Sequence, residues 1–281
     1  MIHIGKYNKL KVLRFTSVGI YLGDEEGEDV LLPNKYCPDN LKVDDEFEVF
    51  VYLDSEERKI ATNLTPKINL GEFAFLQVSA KTSVGVFLDW GLEKELMVPY
   101  SEQRLKMEEG RWYVVYLNID TKTNRLYASN KIDKFIEKDQ IDLKLGEKVN
   151  LLISNKTDLG YEAIINNKYK GLLYSNEVFQ KLDIGNQLQG FVKQVREDKK
   201  IDLSLYPAGY DESINLNTKL IIDKLNENKG YLPVSDKASP EEIYKQFSIS
   251  KKAFKKAVGS LYKSGLILIT DEGIRLINEH E

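Results

Sequence analysis

The sequence predicts a mainly β chain with an α+β tail. Three five-stranded barrels run in tandem over residues 1–206, and a small helical domain with a β-hairpin follows over 213–281. Three observations carry that prediction. TSVGIYL at 16–22 returns almost unchanged as TSVGVFL at 82–88. Matched markers follow each copy, and a third region repeats their spacing. Beyond about residue 206 the hydrophobic period changes from two to 3.6.

The repeat is counted from Gly19, Gly85 and Gly160. Fourteen residues after each stands a marker in an apolar strand: Pro33 in VLLP, Pro99 in LMVP and Tyr174 in GLLY. Strands then end at Asn63, Asn130 and Ser204, at spacings of 44, 45 and 44. Before each of those ends lies an apolar strand of period two, EFEVFVYL, RWYVVYLNI or LQGFVKQV, and a polar turn with a basic exit. The third copy, LGYEA at 159–163, belongs by spacing on both sides. A short helix or loop such as SEQRLKMEEG is expected between the third and fourth strands. Five strands with a long connection before the fourth describe a small Greek-key barrel, the OB-fold. The barrels are expected at 1–64, 65–140 and 141–206. The mid-strand glycines are read as architectural, placed where a coiled strand bends or another backbone comes close.

The motifs resemble the ribosomal S1 RNA-binding domain, a branch of the OB-folds. VGIYL, VGVFL and LGYEA match its aromatic strand-two motif, LLP, MVPYSE and GLLYSNE its third strand, and LDSEERKIATN, IDTKTNRLYASN and VREDKKIDLSL its last turn and strand. The resemblance implies an RNA face on each barrel, with Tyr21, Pro33 and Lys59 in the first and Phe87, Pro99 and Arg125 in the second. In the third it implies Tyr174 and Lys200, with Arg196 and Lys199 as further cations of the same turn, and Tyr161 stands beside the aromatic position that Glu162 now fills. The first family aromatic is Val18, Val84 and Leu159 here. A base stacked on an exposed aromatic contributes about 1–3 kcal/mol whatever its identity, and the adjacent Lys or Arg takes the phosphate. Tyr21 and Phe87 point either outward for this role or inward as core, and strand phase alone leaves both open.

YPAGYDES, with Pro207 and Gly209, reads as a linker. INLNTKLIIDKLNEN places Leu220, Ile221 and Leu225 on one helical face. Ser239-Pro240-Glu241-Glu242 opens a second helix, EEIYKQF. Ser250 caps a third, KKAFKKAVGSLYKSG, ending at Gly265. LILITDEGIRLI reads as two strands joined by TDEG, and the whole as a winged helix. Its third helix buries Phe254, Val258 and Leu261 and is expected to expose Lys251, Lys252, Lys255, Lys256 and Lys263. Five lysines in thirteen positions suit phosphate contact, a protein-facing or merely solvated lysine face being the alternative. Barrels of this type followed by a winged helix resemble the conserved virulence factor B family of bacterial RNA-binding regulators, most specifically through FSISKKAFKKAVGSLYKSGLI.

Composition bounds the function. Net charge is −4 over 281 residues, which argues against a polyanion binder held by bulk charge. Residues 1–64 carry 8 Lys+Arg against 13 Asp+Glu, and residues 213–281 carry 11 against 9, so the C-terminal half is better placed to meet nucleic acid. The single Cys37 excludes an internal disulfide and a thiol-rich metal site. His3 and His280 lie at opposite ends of the chain and are read as solvated. There is no phosphate-loop, dinucleotide or zinc spacing, and the Ser-His-Asp arrangement is excluded for lack of internal histidine. No enzyme and no cofactor are expected. MIHIGKYNKL has no apolar h-region and no run reaches membrane length, so a cytoplasmic protein with no membrane partner is expected. The expected partner is single-stranded RNA, bound without catalysis and with an effect on gene expression after transcription. Duplex DNA read by the winged helix, or ribosome or polymerase proteins bound by the acidic first repeat, are the alternatives.

Overall fold

The computed structural model describes residues 1–178, 180–207, 212–235 and 237–277, without the side chains of 212–215. Gly209 of the expected linker and His280 lie outside them. By compactness the chain divides into two units. One is Met1–Lys138 with Ile164–Tyr169, and the other is Asp139–Ala163 with Lys170–Glu281.

The first barrel is β1 (Lys6–Phe15), β2 (Gly19–Gly23), β3 (Asp29–Pro33), β4 (Glu46–Leu53) and β5 (Lys59–Thr62), closed in the order β1-β2-β3-β5-β4. The second is β6 (Phe73–Lys81), β7 (Gly85–Asp89), β8 (Leu96–Pro99), β9 (Trp112–Ile119) and β10 (Leu126–Ser129). It repeats the order, but β8 and β10 lie side by side without ladder bonds between them. The third is β11 (Lys148–Lys156), β12 (Gly160–Ile165), β13 (Tyr169–Tyr174), β14 (Gln187–Val195) and β15 (Ile201–Ser204), again closed. A parallel pairing of β3 with β5 and of β13 with β15 completes the closed barrels. SEQRLKMEEG is not a helix. A 3-10 turn at Tyr100–Glu102 is followed by irregular chain whose Met107 is fully buried in the core.

Strand β4 departs from simple alternation. Val49 through Leu53 are all buried. Val49 and Val51 join the core of their own barrel, while Phe50 and Tyr52 join the core of the second. Trp90, which follows β7, meets both rings edge-on, with centroids 5.8 Å from Phe50 and 6.2 Å from Tyr52. Each such side chain contributes about 1.5–3 kcal/mol when fully buried, so this seam firmly joins barrels one and two.

The tail runs α1 (Glu212–Glu227), β16 (Tyr231–Leu232), α2 (Pro240–Phe247), α3 (Lys251–Lys263), β17 (Ile267–Ile269) and β18 (Ile274–Leu276). Ser239 and Glu242 form a capping box at α2, and Ser250 caps α3 through the N–H of Ala253. Ile221, Leu225, Ile243, Phe254, Val258 and Leu261 build one core with the sheet β16-β18-β17. The two-residue β16 has no periodic signal and is the one element here that sequence reading does not foresee.

Candidate nucleic-acid interface

Each barrel presents an outer face built the same way. The hydroxyl of Thr16 donates to the carbonyl of Gly19 at 2.7 Å, Thr82 to Gly85 at 3.1 Å, and Thr157 to Gly160 at 3.1 Å. A Thr-x-x-Gly turn therefore closes every β1–β2-type connection and lifts the next aliphatic residue into solvent. Val18 and Val84 are each 57% exposed and Leu159 is 64% exposed. The glycines open their strands rather than lying mid-strand. A Cβ on Gly19 would stand 2.1 Å from the carbonyl oxygen of Leu32, on Gly85 2.4 Å from that of Val98, and on Gly160 2.0 Å from that of Leu173. Close approach of the facing backbone is the reason for glycine.

In the first barrel Ile20 and Leu22 are core, so Tyr21 points outward. Its register partners are Arg14 and Leu31. The Arg14 guanidinium lies 3.9 Å from the Tyr21 ring centre and pairs with Asp29 at 2.8 Å. Lys59 stands 3.4 Å from Glu28. The Ile2 N–H and then Lys59 hold that carboxyl below its usual range. Pro33 is half-buried opposite Gly19. Two contributors have no signal in the sequence pattern, Arg14 and the 53% exposed Phe15. A bulge between Val12 and Arg14 shifts the strand phase there and hides them from alternation.

In the second barrel Phe87 likewise points outward between buried Val86 and Leu88. It lines a groove of about 240 Å³ with Tyr52, Leu53, Met97, Arg125 and Leu126. Arg125 pairs with Glu57, from the turn between β4 and β5. Pro99 is half-buried opposite Gly85.

In the third barrel the aromatic position holds Glu162, paired with Lys170 at 3.3 Å and receiving an Asn155 amide N–H at 3.0 Å. Tyr161 is half-buried, and the Lys156 ammonium lies 5.7 Å from its ring centre. The Tyr174 hydroxyl, Arg196 and buried Asp202 form one network, with Arg196 Nε 2.9 Å from Asp202. The hydrogen bond to Asp202 raises the Arg196 pKa further. Lys199 lies 3.6 Å from Asp139, and Lys200 lies 2.9 Å from Asp198. The implied residues do share one part of the barrel, but each cation has a carboxylate beside it.

On helix α3, Phe254, Ala257, Val258 and Leu261 face the core, and Lys252, Lys255, Lys256 and Lys263 are exposed at helical spacing on the other side. Lys251 is half-buried, contrary to the expectation from sequence, because it opens the helix beside its cap. Gly259 lies in the middle of that stripe with open space around its missing Cβ. Exposed Tyr262 borders it. In the wing, Arg275 lies 5.9 Å from the Tyr231 ring centre. Among the described residues no group of carboxylates, His and Cys is arranged to hold a metal, and no helix is long and apolar enough to cross a membrane.

Known proteins resemble this chain along most of its length. The profile of the S1 domain matches residues 4–64, and that of the CvfB-like winged helix domain matches residues 219–276. The Bacillus subtilis (strain 168) protein YitL is 30% identical over 278 residues, spanning 94% of this chain and 90% of its own. Conserved virulence factor B of Staphylococcus haemolyticus (strain JCSC1435) is 26% identical over 283 residues, spanning 97% and 94%. A solved multidomain protein with nucleic acid binding domains from Streptococcus pneumoniae aligns over 98% of both chains at 22% identity, with a TM-score of 0.43.

Proposed function

The chain belongs to the conserved virulence factor B family, and on that premise we propose that it is a non-catalytic protein that binds single-stranded RNA and acts on gene expression after transcription. The observation that carries this reading is the lysine stripe of α3, four exposed cations on one helical face. A flexible strand can lay its phosphates along that stripe, while the exposed Tyr262 on the same helix offers a stacking surface. Lys252, Lys255, Lys256 and the basic group around Tyr174 meet the phosphates, and Lys251 contributes at the helix start. Stacking dominates, so sequence preference is weak, and the charge contribution makes affinity fall steeply with salt.

The test is a titration of fluorescent U-rich and A-rich RNA with the full chain at low salt. Binding that weakens as salt rises is the expected result. No binding at protein concentrations on the order of tens of micromolar, where even non-specific complexes form, overturns the reading. The winged helix also suits a duplex groove. A DNA duplex in the same titration that binds more tightly than the single strand would shift the assignment to transcriptional control.

A further inference from the structure

The second barrel carries Phe87 and Arg125 in the positions that the S1 resemblance gives to a base and a phosphate. The chain already places a carboxylate there. Glu57 pairs with Arg125, and Glu95 lines the same groove. We propose that Glu57 is a specificity-determining residue of the interface: its carboxylate occupies the phosphate position on Arg125 and keeps a nucleic-acid strand off the second barrel. This inference rests on the RNA-binding reading above.

The turn that carries Glu57 is held independently of the pair. Lys94 Nζ donates to the carbonyls of Leu53 at 3.0 Å and Asp54 at 2.6 Å. Burial pulls that ammonium below the usual lysine range, yet both carbonyls remain bound. Asp54 Oδ1 accepts the N–H groups of Glu56 and Arg58 at 2.8 and 3.0 Å, closing the turn on itself. Phe50 and Tyr52 anchor its strand in the second barrel's core. Those buried rings set the docking, whereas the Glu57–Arg125 pair is about half exposed on both sides, at 51% and 58%. A pair so exposed contributes at most about 1 kcal/mol. Its main effect is therefore on the charge that the groove shows to a polyanion. The groove, about 240 Å³, is smaller than the roughly 300–1,000 Å³ of usual ligand sites.

The test uses the full chain and a fluorescent U-rich RNA at low salt. Glu57→Gln is expected to tighten binding about fivefold, because a freed Arg125 gains a phosphate. Glu57 has a left-handed backbone, with φ 67. Glu57→Asn suits that conformation and should give the same gain should the Gln variant fold poorly. Glu56→Gln, whose partner is Arg58 at 2.8 Å, removes the same formal charge from the same turn and should change affinity less than about twofold. Arg125→Gln should abolish the gain in the double variant. Equal effects of Glu57→Gln and Glu56→Gln, or a gain that persists with Arg125→Gln, overturn the proposal and leave the RNA-binding reading intact. No binding by any variant overturns both.

Discussion

Replacing Gly160 with alanine should destabilise the third barrel by about 3 kcal/mol or more, among the larger effects a single substitution can have. The added Cβ would stand 2.0 Å from the Leu173 carbonyl oxygen and 2.8 Å from the Ser175 N–H nitrogen. Both are backbone atoms, so no side chain can swing aside. The φ of 151 adds strain, since it lies where L side chains are disfavoured. Relief requires β12 and β13 to part, which opens the barrel. Native-state hydrogen exchange over residues 148–204 reads this directly, as a loss of protection confined to that barrel. Gly27 is the control. It too has positive φ, 87, but nothing lies within 4 Å of its added Cβ, so alanine there should cost only about 1 kcal/mol. Equal protection in the Gly160 and Gly27 variants would remove the close-approach explanation of the repeat.

The second large effect concerns α3. Changing Lys252, Lys255, Lys256 and Lys263 together to Gln should lower affinity for single-stranded RNA by about 100-fold at low salt. On a single strand, each phosphate that a cation neutralises contributes about 0.7 to the slope of log affinity against log salt. Removing four cations should therefore flatten that slope by about 3. The four side chains are exposed and the helix core of Phe254, Val258 and Leu261 is untouched. Stability should stay within about 0.5 kcal/mol per site. The measurement is the same titration repeated at several salt concentrations, with thermal melting alongside. A variant that keeps both affinity and salt slope would show the lysine face to be solvated only.

The barrels were legible because the glycine-to-marker spacing records a backbone approach. Gly19 pairs with Pro33 and Gly85 with Pro99 across neighbouring strands, so the fourteen-residue count is the length of a hairpin. The helices were legible from their caps, Ser239 and Ser250, which are local in sequence. The Thr-x-x-Gly turn was within reach, since TDLG at 157–160 completes TSVG twice over. Strand phase at Tyr21 and Phe87 was not, because GIYLG and GVFLD are apolar on both faces and alternation alone does not say which face meets the core. Nor was the seam. EFEVFVYL is an apolar run whichever partner covers its outer face, and only the fold brings Trp90 against Phe50 and Tyr52. The pairing of Arg125 with Glu57 spans 68 positions and has no local signal. The same holds for Glu28 beside Lys59, 31 positions away, whereas Asp202 lies only six positions beyond Arg196 in the same hairpin. A basic turn residue read from sequence comes without its partner, and in all three barrels the partner decides what charge the face presents.

Whether RNA lies along α3 and the third barrel can be read by ultraviolet crosslinking of the full chain to a single-stranded U-rich RNA, with adducts mapped by mass spectrometry. Adducts are expected on α3, near Lys252, Lys256 and Tyr262, and around Tyr174 of the third barrel, with Phe87 unmarked. Adducts that cluster on Phe87 and leave α3 bare, or a chain that yields none, would contradict RNA binding through this surface.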